Sequence, residues 1–294
     1  MCVRKKSAAH EKMDETESSS TDIAGHSIHM ALREGHILKS VLDCTQVAFG
    51  ELIFKVTNTG LYMSADNRTA DKKETLLCIL TLPRRNFEAW SIPSEVDQDD
   101  DAEILIPVDA GNLRSLTNSI LKKDMLIVWV EPNDVGTLRL EIQNVDKKRS
   151  CLGKVKLIDL SKLSEHVKKP VLPFEYDMNR PNATVSAKEF QKACKAGTQL
   201  KAETIRVIGY ETCVIFEVGN LEVTRSFPFG VSKKDQKKVY EGEFDVKRNI
   251  AAVAKCCTMT TDVRIYCSGR NPMLIAMNAG ESGTFDIYLV PNHK

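Results

Sequence analysis

Few side chains of this 294-residue chain stand at the spacings that bond-making chemistry needs. His10, His26 and His29 fall in or beside a polar N-terminal stretch, and His293 lies at the other end. His36 and His166 have no Cys or carboxylate at metal-ligand or triad spacing. Asp99-Asp100-Asp101 could hold Mg²⁺ as a metal-dependent nuclease would, although an acidic run between strands more often forms a solvated tip. Cys256-Cys257 could form a redox pair, but adjacent residues on a helix point apart, so Cys257 is expected to pack and Cys256 not to. No phosphate-binding glycine loop occurs. The expectation is a protein that is not an enzyme, with no catalytic residue, no metal and no cofactor.

What recurs instead is positive charge on one side of each helical pattern. Leu113, Leu116 and Ile120 form the apolar stripe of a helix over 111–122, with Arg114, Asn118 and Lys122 on the other side and Lys123 following. Phe190, Ala193 and Cys194 stand opposite Lys188, Lys192 and Lys195. Ile250, Val253 and Ala254 stand opposite Lys247 and Lys255, with Arg248 beside them. The first helix, with Ile37, Leu38, Val41 and Leu42 inward, offers Arg33 and Lys39 and then Asp43. One charged helix face is usually solvated surface; three basic faces among four helices point to a polyanion. Lysines and arginines without interleaved aromatic residues suit phosphate contacts, and cannot read bases or stack on single strands.

The elements that must position these faces follow from composition and pattern. With 42% apolar and 28% charged residues, the chain can form a soluble globular protein of roughly two domains. A formal net charge of +1 excludes a globally basic nucleic-acid binder and leaves only the local distribution. Nine cysteines, an odd number without C-x-x-C, read as reduced intracellular thiols. Apolar runs such as Met125 to Val130 fall far short of the ~18 residues of a bilayer span, and the first twenty residues lack a secretory core. Residues 1–28 read as a disordered tail, Arg4-Lys5-Lys6 being too short to establish an import signal.

Beyond the tail, strands and helices alternate in an α+β order that occurs twice: Asn112 to Glu131 and Arg248 to Cys267 are each a helix running through a polar turn into an alternating strand. The expected division is a first unit over 29–150, an edge strand and connector over 151–175, and a second unit over 176–294. Lys154 to Leu160 alternates as a half-buried edge strand would. Ser161 to Lys169 then reads as a surface strap in which Leu163 and Val167 alone are large and apolar; they either anchor it to the sheet or contact a ligand.

Lys156-Leu157-Ile158-Asp159-Leu160 at the hinge of two such units, Ile37-Leu38-Lys39, Ile120-Leu121-Lys122, Glu189-Phe190 with Cys194-Lys195, Asn271-Pro272 and the terminal Tyr288-Leu289-Val290-Pro291 occur in a telling order. Over Met30 to Lys294 the chain resembles the proliferating cell nuclear antigen family of DNA sliding clamps. The resemblance implies two tandem clamp domains, with antiparallel sheets outside and helices lining a homotrimeric ring around double-stranded DNA, bound without sequence preference. It implies a polymerase processivity factor of replication and repair, in the nucleus or a viral replication compartment, with a clamp loader and peptide-bearing enzymes as partners and no membrane. Arg33, Lys39, Arg114, Lys122, Lys123, Lys188, Lys192, Lys195, Lys247, Arg248 and Lys255 would face DNA. Leu152, Val155 and Leu157 would meet Leu221 and Val223 of the next subunit, and Met63, Leu163, Val167, Pro272, Tyr288, Val290 and Pro291 would form the partner-peptide site. The Asp66 to Lys73 stretch is longer than the family's and has no His, and Glu211 stands near the family's ubiquitin-accepting lysine. With the added tail and the acidic loop, these departures point to a viral or otherwise divergent member. The alternatives are a subunit of a heterotrimeric checkpoint-type ring or a monomeric viral processivity factor, with the metal-dependent nuclease less favoured.

Overall fold

The computed structural model describes residues 2–5, 21–22, 28–67, 76–144, 146, 148–163, 175–220, 222–232 and 235–292. The first half runs β1 (Cys2–Lys5), β2 (Thr21–Asp22), β3 (Ile28–Leu32), α1 (His36–Thr45), β4 (Glu51–Val56), β5 (Gly60–Asp66), β6 (Leu76–Pro83), β7 (Phe87–Ser91), β8 (Ala102–Asp109), α2 (Ala110–Thr117), β9 (Met125–Glu131), β10 (Asp134–Asn144) and β11 (Arg149–Lys156). The second runs β12 (Ala183–Ser186), α3 (Ala187–Gln199), β13 (Thr204–Tyr210), β14 (Cys213–Gly219), β15 (Thr224–Gly230), β16 (Lys238–Asp245), a π turn at Val246–Ile250, α4 (Ala251–Cys256), β17 (Asp262–Tyr266), β18 (Met273–Ala279) and β19 (Gly283–Leu289).

Three antiparallel sheets result. One has the order β11-β10-β9-β3-β7 and belongs to the first half; another, β15-β14-β13-β16, belongs to the second. The third joins the halves as β12-β17-β18-β19-β6-β5-β4-β8-β1-β2, with β19 beside β6 in the register Thr284↔Thr81 to Leu289↔Leu76. Along β19, period-two alternation sends Phe285, Ile287 and Leu289 into the main core and Tyr288 into a separate apolar cluster on the other face.

Apart from the single helical turn Ser94–Asp97, which lies against β8, the helices form a single file: α1 packs against both α2 and α4, and α4 against α3. Their starts are set locally or by contact. Asp109 accepts from the Asn112 N–H at 2.7 Å and Ser186 from the Glu189 N–H at 3.3 Å, capping α2 and α3. Helix α1 has no side-chain cap; Gly35 instead donates its N–H to the Asp124 carbonyl at 2.9 Å, an approach in which a Cβ would lie 2.9 Å from that of Leu126. Phe190 of α3 is fully buried against Phe216 and Phe229, with ring centroids 5.6 and 6.2 Å away.

Several expectations shift. The first helix, expected to carry Arg33, begins only at His36, because β3 carries the chain through Leu32 before α1 starts. β3 also begins at Ile28, fully buried and one residue inside the expected tail. Within that tail, Cys2–Lys5 pairs with Ala102–Leu105 and Thr21–Asp22 with Cys2 and Val3. Main-chain pairing at a sheet edge needs no apolar pattern, which is why composition did not foretell it; the remainder of 1–27 lies outside the described residues. Helix α2 ends at Thr117, so Lys122 and Lys123 sit in the following turn. Cys256 is as buried as Cys257, since α4 is flanked by helices on both sides and the Cys256 thiol reaches the Ser40 carbonyl of α1.

Phe190→Ala should destabilise the fold by roughly 3–5 kcal/mol, the usual cost of emptying an aromatic site in a packed core. Urea unfolding followed by circular dichroism checks it; a loss below ~1 kcal/mol would contradict the packing of α3.

Candidate nucleic-acid and partner interfaces

The helix file buries one side and exposes the other. Exposed there are Lys188, Lys192 and Lys195 of α3, Lys255 of α4 and Lys247 of the π turn. Lys188, Lys192, Lys247 and Lys255 make no ion pair among the described residues, and Lys195 donates only to Gln191 Oε1 at 3.0 Å. The first half is different. Arg114 Nε donates to Asp43 Oδ1 at 2.7 Å, and Lys39 Nζ is held by the Asn118 and Ile120 carbonyls at 2.8 and 3.1 Å. Arg33, Lys122 and Lys123 are exposed in turns, Lys123 lying 3.7 Å from Asp146. The side chain of Arg248 lies outside the described residues. The free cationic surface is thus concentrated on α3 and α4, and side-chain bonds such as Gln191 Nε2 to the Ala254 carbonyl (2.8 Å) hold those two helices together.

Two sheet edges lie beside the end helices of the file. β11 is an edge strand next to α2, where a Cβ on Gly153 would meet Leu116 at 3.1 Å. β15 is the edge of the sheet packed against α3. Because the Leu157 N–H donates to the Gly136 carbonyl, the odd residues of β11 bond inward to β10, and the N–H groups of Ser150, Leu152, Lys154 and Lys156 point away. On β15 the Val231 N–H bonds to the Thr212 carbonyl, so Thr224, Ser226, Pro228 and Gly230 occupy the outward register. Pro228, having no N–H, sits where no ladder bond within the chain is lost. Leu152 is 71% exposed and Val223 46%. Val155 and Leu157 instead pack on the core of their own chain and bond inward to β10, so they offer a neighbouring copy neither side chains nor backbone groups. Leu221 lies outside the described residues.

The outer face of the ten-stranded sheet carries two apolar clusters. Leu163 is buried on Ile53 and Leu105 with Ile158 and Leu160 beside it, so it anchors the connector to the sheet. Val167 lies outside the described residues. Tyr288 packs with Leu77, Tyr266 and Leu274, and Tyr176 lies over it, donating its hydroxyl to the Pro272 carbonyl. Val290 and Pro291 are half-buried and Pro272 is buried. Met63 does not belong here: its side chain points to the opposite face and is buried in the main core. Sequence reasoning missed Tyr176, Leu77, Ile79 and Asp286, the last half-buried with its Oδ1 enclosed and unpartnered. Alternation along β19 could have placed Asp286 beside Tyr288 on the outer face.

Of the residues first considered for chemistry, His10, His26, His166 and His293 lie outside the described residues. Among the described residues no cluster of His, Cys, Asp and Glu fits a metal, and no helix is long and apolar enough to cross a membrane. Asp100 accepts from Asn58 Nδ2 at 2.5 Å and Asp99 from the Asp101 N–H at 3.0 Å, as in a self-capped surface turn. Burial pushes the Cys256 and Cys257 thiols up, the latter to about 12, away from the thiolate a redox pair needs.

No family model matches the chain. It is 21% identical over 271 residues to the probable DNA polymerase sliding clamp 1 of Paramecium bursaria Chlorella virus 1, covering 90% of this chain and 96% of that one. Its fold matches the crystal structure of proliferating cellular nuclear antigen from Entamoeba histolytica with a TM-score of 0.66 at 15% identity, over 90% of this chain and 99% of that one. The fold is the α+β DNA clamp fold.

Burial, against a smaller opposing influence from Arg264, raises Asp286 to about 6. In the folded state its charged form is disfavoured, so folding carries a penalty that grows as pH rises from about 4 and is complete above about 6, and that is absent near pH 2–3, where folded and unfolded states are both protonated. Asp286→Asn should leave stability unchanged near pH 3 and raise it by on the order of 1–2 kcal/mol at about pH 8. Thermal melts across this range check it; an equal effect at both ends would refute the assignment.

Proposed function

We propose that this chain, a divergent clamp of the proliferating cell nuclear antigen type, is a DNA sliding clamp: a processivity factor that closes into a ring of three copies around double-stranded DNA and tethers a polymerase and other replication and repair enzymes. One observation carries the reading. A single file of helices exposes lysines on α3 and α4, and the file ends beside two strand edges, β11 and β15, that have no outer partner among the described residues. Adding β15 of one copy to β11 of the next satisfies both edges and is a head-to-tail contact, which closes a ring when the rotation permits. The division into clamp domains over 29–150 and 176–294, joined by the 151–175 edge strand and connector, belongs to this reading. So do a nuclear or viral replication site and a clamp loader that opens the ring.

Mechanism follows from topology and charge. A closed ring cannot dissociate sideways, so each phosphate contact can be weak and sliding stays fast. Lysine suits this, as a flexible point charge without the bidentate fork that would fix register. The similarity of the viral relative, a probable DNA polymerase sliding clamp by name, supports this function. The apolar outer-face cluster around Tyr288 is the surface on which a partner's peptide would dock, and the clamp acts through what it holds there and not through bond-making groups of its own.

The oligomeric reading is tested at the edge. Lys154 has an outward N–H, so Lys154→Pro removes a donor to the neighbour and no bond within the chain, whereas proline at Val155 would break the chain's own ladder. Wild-type protein should have the solution mass of three chains at micromolar concentration and Lys154→Pro a smaller one; a wild-type mass of one chain would overturn the ring and favour a monomeric factor. The charge reading is tested by Lys192→Ala, Lys195→Ala and Lys255→Ala together. Polymerase processivity on primed DNA should fall severalfold and its salt dependence weaken, with stability changed by no more than about 0.5 kcal/mol. Unchanged processivity would show that these helices do not face DNA.

A further inference from the structure

The outer face of the ten-stranded sheet can be traced by register. One row runs Tyr266, Leu274, Tyr288, Leu77; the next runs Arg264, Ala276, Asp286, Ile79, Ser64, Ile53. Leu163 stands on the Ile53 end and Tyr176 on Tyr266 and Tyr288. Between these two anchors the floor is Asp286, Ile79 and Ser64, with Leu77 and Tyr288 alongside. Both in-register neighbours of Asp286 are apolar, Ala276 on one side and Ile79 on the other. Its Oδ1 is enclosed without a hydrogen-bond partner, and the nearest cation in the row, Arg264, donates to Asn278 Oδ1 at 3.2 Å instead.

A carboxylate with one oxygen enclosed and unsatisfied in an apolar surround is costly, and a ligand that brings a cation to the accessible side of the half-buried group offsets that cost. We propose that Asp286 is a specificity-determining acceptor of the partner-docking surface, taking the cation of a Lys or Arg from a short peptide whose apolar and aromatic side chains rest on Leu77, Ile79 and Tyr288. The inference rests on the docking reading given above. Charge complementarity selects the occupant. A neutral donor restores the hydrogen bond alone, a basic one also offsets the charge, and an acidic one sets two negative charges together in a partly water-excluded hollow. The upward shift of the carboxyl's pKa, caused by burial, is what a desolvated and uncompensated acceptor displays.

The test uses the full-length protein and two synthetic peptides that place an aliphatic side chain three residues before a pair of aromatic ones, identical except that one carries Lys and the other Glu at the remaining positions. Calorimetry near neutral pH should give wild type a preference for the Lys peptide of about tenfold. Asp286→Asn should narrow that preference to about threefold or less, and Asp286→Lys should reverse it. A preference unchanged in both variants overturns the role of Asp286 while leaving the docking surface in place. If neither peptide binds wild type, the proposal and the docking reading fall together. If Asp286→Lys does not fold, the ratio measured for Asp286→Asn decides alone.

Discussion

The pairing of β19 with β6 underlies the rest of this structure. Six rungs, from Thr284↔Thr81 to Leu289↔Leu76, fuse the outer strands of two halves into one sheet, and among the described residues no other sheet contains strands of both. The pairing has two consequences. On the inner face it accompanies the contact between α1 and α4, where Ser40 Oγ meets Thr258 Oγ1 at 3.1 Å and the Cys256 thiol reaches the Ser40 carbonyl, so the two helix pairs become one file. On the outer face it places Tyr288 and Asp286 of the second half beside Leu77 and Ile79 of the first.

Electrostatics divides the helix file unevenly. A half-buried ion pair such as Arg114 with Asp43 is screened less than an exposed one and fixes two helices together, but it withdraws that guanidinium from any external phosphate. Lys39 is likewise occupied with the carbonyls after α2. The lysines of α3 and α4 face water, where their attraction for a polyanion is diffuse and sensitive to salt. A surface of this kind holds a sliding partner better than a site of ordered, bidentate contacts would.

The outer face follows other physics. Its two apolar clusters are small and are covered in part by the connector's own Leu163 and by Tyr176, which limits exposed apolar area in the free protein. Between them, Asp286 retains a charge-bearing group in surroundings that disfavour charge. Such a group is held at the expense of stability.

Much was legible in the sequence. The apolar periodicities of α1 to α4, the edge character of the strand through Val155, the doubled α+β order and the lysines at i, i+4 and i+7 of α3 are local properties, set by side-chain types and the 3.6- and 2-residue repeats. Only the tertiary structure decided which charges remain free, because Arg114 is neutralised by Asp43, 71 residues away in the chain. It alone turned Met63 into the core and set Leu163 on Ile53 and Leu105, since period-two alternation shows that a strand has two faces but not which one the core covers. The start of α1, the pairing of Cys2–Lys5 and the enclosure of Asp286 escaped the sequence for a related reason. Each depends on a strand or helix remote along the chain, and distance in sequence carries no record of proximity in space.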